Sequence, residues 1–306
     1  MNNQQKACKV VKFGGSSLAD AEHFRKVHAI VTADPARRYV VPSAPGKRNK
    51  GDTKVTDMLY ECYNVSARGE AIDTIFARVQ ERYDGIIASL GLDLDLREEY
   101  AHIQWAITHH AGRDYAASRG EYLSGLILSA YLGYDFIDPA SYLRFQDDGA
   151  FDAELTNTLL SAELVRHENG VIPGFYGSMP NGTIRTFSRG GSDITGAIVA
   201  RAVLADIYEN WTDVNGFLMA DPRIVENPRR IDLITYRELR ELSYMGAGVF
   251  QEDAIFPVRF AGIPVNIRNT NEPDNPGTMI VSATDQYDTA NVITGVAGKK
   301  GFSAVN

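Results

Sequence analysis

Apolar and polar positions along the chain follow two periods. Val10-Val11 and Tyr39-Val40-Val41 are short apolar runs with the β-branched content of strands buried on both faces. Between them Phe24, Val27, His28 and Val31 recur at helical spacing behind Asp20, which predicts a capped helix from Asp20 to about Thr32. The helical period returns from Val55 to about Leu90, broken near Gly69, and again from about Asp93 to His110. A further helix carries Leu123, Ile127 and Ala130 on its apolar face, with Glu121 near its start. Tyr134–Asp138, Gly170–Phe175 and Ala205–Trp211 read as strands, and Ser192–Leu204 is apolar nearly all round, as a helix buried on a sheet would be. From Ile263–Thr270 onward short strands and turns dominate. The alternation predicts an α/β fold, a three-layer αβα sandwich with a mainly parallel central sheet. The consecutive helices at about 54–132 read as an insertion, a lid or substrate-side subdomain.

Composition narrows the class. At 306 residues, 44% hydrophobic and 23% charged, the chain has the size and make-up of a soluble globular protein. No apolar run is long enough to span a membrane, and the polar start Met1–Gln5 lacks the apolar core of a signal peptide. Cys8 and Cys62 show no metal-ligand spacing and suit a reducing compartment, so the expected location is cytoplasmic. A net charge of −8 argues against a nucleic-acid or anionic-membrane surface. Lys47, Arg48, Lys50 and Lys54 form a local basic cluster that reads as a solvated loop.

The candidate chemistry lies in glycine-bearing loops. Lys12-Phe13-Gly14-Gly15-Ser16-Ser17 carries a lysine out of a strand into a turn, a layout that suits backbone amides and an ammonium closing on phosphate, or simply a tight strand-to-helix turn. Arg189-Gly190-Gly191-Ser192-Asp193 opens the buried helix, and Trp211-Thr212-Asp213-Val214-Asn215-Gly216 leads to Asp221-Pro222-Arg223. Three such loops point to phosphoryl transfer, which depends on positioning and charge neutralisation. The chain lacks the G-x-x-x-x-G-K-S/T loop, the protein-kinase set and the G-x-G-x-x-G fingerprint.

These blocks, together with Ser43-Ala44 and Ser118-Arg119-Gly120-Glu121-Tyr122-Leu123-Ser124, resemble the aspartate kinases of the amino-acid kinase superfamily in order and spacing. The resemblance runs from the first strand to Ile293-Thr294-Gly295-Val296. It implies the amino-acid kinase fold, with residues 1–293 as catalytic domain and 294–306 as the start of a linker to ACT regulatory domains that this chain does not carry. It implies transfer of the γ-phosphoryl of ATP, carried with Mg²⁺, to the side-chain carboxylate of L-aspartate, the first step toward lysine, threonine and methionine. No protein-held metal, nucleic-acid or membrane partner is implied, and a homodimer is one assembly the family offers.

Residue by residue, the resemblance makes Lys12 the cation on the moving phosphoryl group and Asp193 its organiser. Glu121 would hold the substrate ammonium and Arg189 its α-carboxylate, with Gly190, Gly191 and Ser192 at the same helix start. Ser43 and Thr56 match hydroxyls of the aspartate pocket. Gly14, Gly15 and Ser16 would approach the ATP phosphates, and Thr212, Asp213, Gly216 and Arg223 would line the nucleotide side. Where many family members have Gly-Ala-Lys-Val-Leu-His-Pro, this chain reads Gly246–Glu252, so Gly248 and Gln251 replace a lysine that contacts nucleotide and a histidine. Two other readings stand beside the main one. One is a kinase of the same superfamily acting on glutamate, N-acetylglutamate, carbamate or UMP; the other is a catalytically silent nucleotide-binding regulatory subunit.

Overall fold

In the computed structural model, which describes residues 7–188, 190–244, 252–284 and 293–298, the apolar runs become the interior of one eight-stranded sheet. The strands are β1 (Lys9–Phe13), β2 (Arg37–Pro42), β3 (Asp135–Phe136), β4 (Gly170–Val171), β5 (Tyr176–Ser178), β6 (Ile184–Thr186), β7 (Ile207–Thr212), β8 (Leu233–Thr235), β9 (Val265–Asn269) and β10 (Thr278–Val281). The large sheet has the order β3-β4-β2-β1-β7-β9-β10-β8, and β5 and β6 form a separate hairpin. Among the described residues of the large sheet, β9 and β10 are the one antiparallel pair.

Helices cover both faces, because alternate residues of each buried strand point to opposite sides. Val10, Tyr39, Val41 and Tyr208 join one apolar cluster with α6 (Ala153–Leu164), α7 (Gly191–Ala202), α8 (Tyr236–Tyr244) and α9 (Phe256–Ala261). Val11, Phe13, Val40 and Trp211 join the other, with α1 (Ala21–Thr32), α2 (Val55–Ser66), α3 (Asp73–Leu90), α4 (Arg97–Thr108) and α5 (Arg113–Leu132). This is the three-layer αβα sandwich that the sequence predicts. The four helices α2–α5 share their cluster with the sheet and α1 rather than forming a core of their own.

Several elements differ from the sequence pattern. The Asp20 side chain caps α1 by accepting from the His23 N–H, but the buried face takes Ile30 in place of His28, whose half-buried ring lies against Tyr131. Of the strand expected over Gly170–Phe175, Gly170–Val171 forms β4; the Ile172 and Gly174 N–H groups still donate to the Val40 and Pro42 carbonyls of β2, Pro173 between them has no N–H to give, and the chain turns away at Phe175, whose φ is +83°. Tyr134–Asp138 keeps only Asp135–Phe136 as strand. The α6 helix, the β5–β6 hairpin and the run β8–α8–α9 were not visible in the pattern. In α6 the buried positions Thr156, Leu160 and Leu164 make too narrow a stripe to stand out. Glu121 sits in the middle of α5, whose Arg113 start lies well before it, so a helix-terminus explanation for this acid does not hold. Residues 245–251, with Gly248 and Gln251, lie outside the described residues, as does Arg189. No described helix is long and apolar enough to cross a membrane.

Candidate active site

β1 pairs with β2 on one side and with β7 on the other, and all three are parallel. The chain leaves β1 toward β2, so the carboxyl ends of β1 and β7 form a switch point, where open α/β sheets leave a crevice. Lys12 and Gly14–Ser16 lie at or just beyond the end of β1, Ser43 just beyond that of β2, and Thr212 at that of β7.

Lys12 and Asn210 are register partners in the β1–β7 pair, and Asp193 comes down from the first turn of α7 onto both. The Lys12 Nζ stands 2.6 Å from Asp193 Oδ1, and Asn210 Nδ2 donates to the same oxygen at 2.8 Å. The Tyr208 hydroxyl donates to the Asp193 carbonyl at 3.1 Å. Lys12 is buried, and the Asp193 side chain keeps 23% exposure toward solvent. The α7 N-terminus has Gly190 as its cap residue and no capping side chain, so the Gly191, Ser192 and Asp193 amides at its positive end suit an anion.

The loop after β1 differs in part from the expected phosphate cradle. The Gly14 N–H donates to the Trp211 carbonyl at 3.1 Å and so joins β1 to β7. Among the described residues no protein acceptor takes the Gly15 and Ser16 N–H groups, which leaves them as this turn's donors. Gly15 has a packing reason as well. A Cβ there would stand 2.8 Å from the Ala44 carbonyl, and the Gly46 N–H donates to the Gly15 carbonyl at 2.8 Å. The loops after β1 and β2 are therefore in backbone contact.

That contact also brings Ser43 and Ala44 toward α5, where Gly120 would touch the Ala44 Cβ at 2.7 Å if it had a side chain. Glu121 is buried there, and among the described residues its Oε2 has no hydrogen-bond partner. Burial pushes its carboxyl up to about 8, against the smaller opposing pull of the Ala44 and Glu121 backbone amides and the Arg119 charge. Thr56 lies in the first turn of α2, next to Val55, whose N–H donates to the Pro45 carbonyl. Residues 47–54 are pinned by buried Arg82, which reaches Asp52 at 2.6 Å and the Gly46 carbonyl at 3.1 Å. Two arginines hold the Asp52 carboxyl far below its usual range, Arg48 foremost, while Lys47 and Lys50 stay exposed.

On the remaining wall Phe175 lies against Gly191, and Gly174 against Ser192. The left-handed Phe175 is held by its N–H donating to Thr195 Oγ1 and its carbonyl accepting from Phe187. Neither Phe175 nor Asn210 came out of the sequence reading. An asparagine in the buried run Tyr208–Trp211 was the available signal for Asn210, whereas nothing in the sequence marks the φ of Phe175.

The nucleotide-side residues are less concentrated. Thr212 follows Trp211, its carbonyl accepts from the Thr270 N–H, and Thr270 Oγ1 meets Ser17 Oγ at 2.7 Å. Thr212 Oγ1 donates to the exposed Asp213 at 3.2 Å. Gly216 is buried with φ +100°, and a Cβ there would strike Thr278 Oγ1 at 2.3 Å, so its place is fixed by packing. Arg223 is 86% exposed and folded onto Asp221 at 2.6 Å, away from the Lys12–Asp193 pair in every contact described. Among the described residues no group of three or more His, Cys, Asp and Glu side chains could hold a metal.

Comparison with known proteins adds an independent finding. Residues 7–269 match the model of the amino acid kinase family. The chain is 40% identical to aspartokinase 3 of Bacillus subtilis over 97% of its own length and 68% of that protein's. The fold resembles the crystal structure of Clostridium acetobutylicum aspartate kinase with a TM-score of 0.89 and 49% identity, covering 95% of this chain and 66% of that one. It also resembles Escherichia coli aspartokinase III in complex with aspartate and ADP, with a TM-score of 0.78, 27% identity, and coverage of 91% and 65%. The chain thus spans about two thirds of the length of these relatives.

Proposed function

The chain belongs to the amino acid kinase family and, within it, to the aspartokinases; on that premise we propose that it transfers the γ-phosphoryl group of ATP to the side-chain carboxylate of L-aspartate. The observation that carries the choice of acceptor is Glu121, a buried carboxyl whose Oε2 lacks a partner among the described residues. A free amino acid brings the ammonium that would complete it, whereas N-acetylglutamate, carbamate and UMP do not. Arg189, adjacent to Gly190, would take the α-carboxylate through a two-pronged contact, and Ser43, Thr56 and Ser192 would complete the pocket with hydroxyls.

In the reaction a substrate carboxylate oxygen bonds to the γ-phosphorus as the bond to the ADP oxygen breaks, giving 4-phospho-L-aspartate and ADP. Lys12, fixed by Asp193, would sit against the equatorial oxygens and offset the charge that spreads over them in the transition state. The Gly191 and Ser192 amides at the α7 N-terminus, with those of Gly15 and Ser16, are the donors proposed for the phosphates. Mg²⁺ would arrive on the ATP phosphates and would neutralise part of their charge, with Asp193 as a candidate carboxylate beside it. Thr212 and Asp213 would border the nucleotide, and Arg223 could reach it only by leaving Asp221. We take residues 1–293 as the catalytic domain, with its helical part at 54–132 and a linker beginning at 294, and we place the protein in the cytoplasm, with a homodimer as one assembly.

ATP turnover with hydroxylamine trapping tests this reading across L-aspartate, L-glutamate and no acceptor. Aspartyl hydroxamate formed only with L-aspartate is the expected result. Product with L-glutamate instead would reassign the substrate, and no product with any acceptor despite nucleotide binding would favour a silent regulatory subunit.

A further inference from the structure

We propose that Asn210 is a positioning residue for the catalytic pair, acting through Asp193, an inference that rests on the kinase reading above. Asn210 sits in the middle of β7, 3% exposed, between the buried Glu209 and Trp211, with the fully buried Tyr208 two residues earlier. Asparagine is a poor strand former, and burying its amide is unfavourable unless the amide is hydrogen-bonded. An apolar residue would satisfy that position if packing were its only duty. Instead its Nδ2 donates at 2.8 Å to Asp193 Oδ1, the oxygen that Lys12 approaches at 2.6 Å.

The geometry follows from the sheet. Lys12 and Asn210 are register partners on adjacent parallel strands and project to the same face, onto the first turn of α7. Tyr208, two residues earlier on that face, donates to the Asp193 carbonyl and so holds the backbone of this turn while Asn210 holds its side chain. With Oδ1 shared between a donor on β7 and the ammonium on β1, the Asp193 carboxylate has one orientation, and its remaining exposure is left for the cleft. A lysine is a flexible cation with three donors, so a single carboxylate contact would fix Lys12 less well than a carboxylate that is itself held. Asn210 therefore sets where the Lys12 ammonium stands without touching substrate.

The test is a double-mutant cycle with Asn210→Leu, which keeps the branched shape in a somewhat larger side chain and removes the donor, and Asp193→Ala. Asn210→Leu is expected to lower kcat roughly 10- to 100-fold, the loss of a hydrogen bond to a charged group, with KM for L-aspartate and ATP changed less than about threefold. In an Asp193→Ala background the same substitution should change kcat by less than about twofold, because its route of action is gone. Asn210→Gln, which keeps a donor on a longer stem, should recover part of the lost kcat. A full kcat in Asn210→Leu, or an equal further loss on top of Asp193→Ala, would overturn the proposal. The cycle is also read on urea unfolding midpoints without substrate, where the losses of the single variants should not add. Additive midpoints would overturn the proposal whether or not the protein turns over, whereas failure of every acceptor in the hydroxamate assay would overturn the kinase reading instead.

Discussion

Replacing Glu121 by glutamine gives the sharpest test of the acceptor pocket. Burial raises this carboxyl from 4.5 to about 8, so near neutrality the folded protein holds a proton that the unfolded chain has released. The sign follows from proton counting. Below pH 4.5 both states are protonated and the group has no effect; from 4.5 to 8 stability falls as pH rises; above 8 the full penalty applies. At about 1.4 kcal/mol per unit, a shift of this size amounts to roughly 5 kcal/mol. Glu121→Gln removes the titration, so the stability difference between variant and wild type should climb across that window and then level off. Carboxylates held low elsewhere, such as Asp52, cancel in the difference. Any cost of the new amide is independent of pH and shifts the whole curve without changing its shape.

Substrate binding reports on the same proton. The ammonium of L-aspartate needs the carboxylate form, so at pH 7 the wild type should release about nine-tenths of a proton per molecule bound, for a group titrating near 8. Isothermal titration in two buffers of different ionisation enthalpy measures that number. In Glu121→Gln the release should vanish, and KM for L-aspartate should rise roughly 100-fold or more, as expected when one partner of a buried ion pair is removed. A flat stability difference between pH 4.5 and 9, together with no proton release by the wild type at pH 7, would refute the placement of a neutral carboxyl in this pocket.

Lys12→Ala should lower hydroxamate formation by roughly 1,000-fold or more, as for loss of a preorganised transition-state donor, while thermal melting followed by circular dichroism stays cooperative. An unfolded variant would make Lys12 a structural residue. Gly14→Ala should fold normally, since a Cβ there meets Lys12 Nζ at 3.5 Å and the Trp211 carbonyl at 3.7 Å, both ordinary contacts. Its kcat should nevertheless drop about tenfold, because a methyl group beside the ammonium misplaces the reacting phosphate; wild-type turnover would show that this position does not face substrate. Gly216→Ala should lower the melting temperature by several degrees, because φ +100° and a 2.3 Å approach to Thr278 Oγ1 leave no room. A normal melting point with a raised KM for ATP would return Gly216 to the nucleotide-binding set.

The legible part of this protein was its layering and its glycine-bearing loops. Apolar runs with both faces buried dictated a covered parallel sheet, and the Asp20 cap and helical spacing dictated α1, because these are local properties of backbone and side chain. Lys12 and Asp193, far apart in the chain, were each nameable from their own loops. What no local pattern could decide was which groups meet. Register between β1 and β7 put Asn210 beside Lys12, and the seating of α7 on both strands brought Asp193 to 2.6 Å from the ammonium. The same long-range closure spent the Gly14 N–H on Trp211, buried Gly216 under Thr278, and left Arg223 in solvent. Glu121 shows the division most clearly. Its identity was readable in the sequence, but only burial in the middle of α5, against the loop after β2, took away its water and made it a site. Local chemistry is written residue by residue, whereas desolvation and register arise only when distant segments exclude water between them.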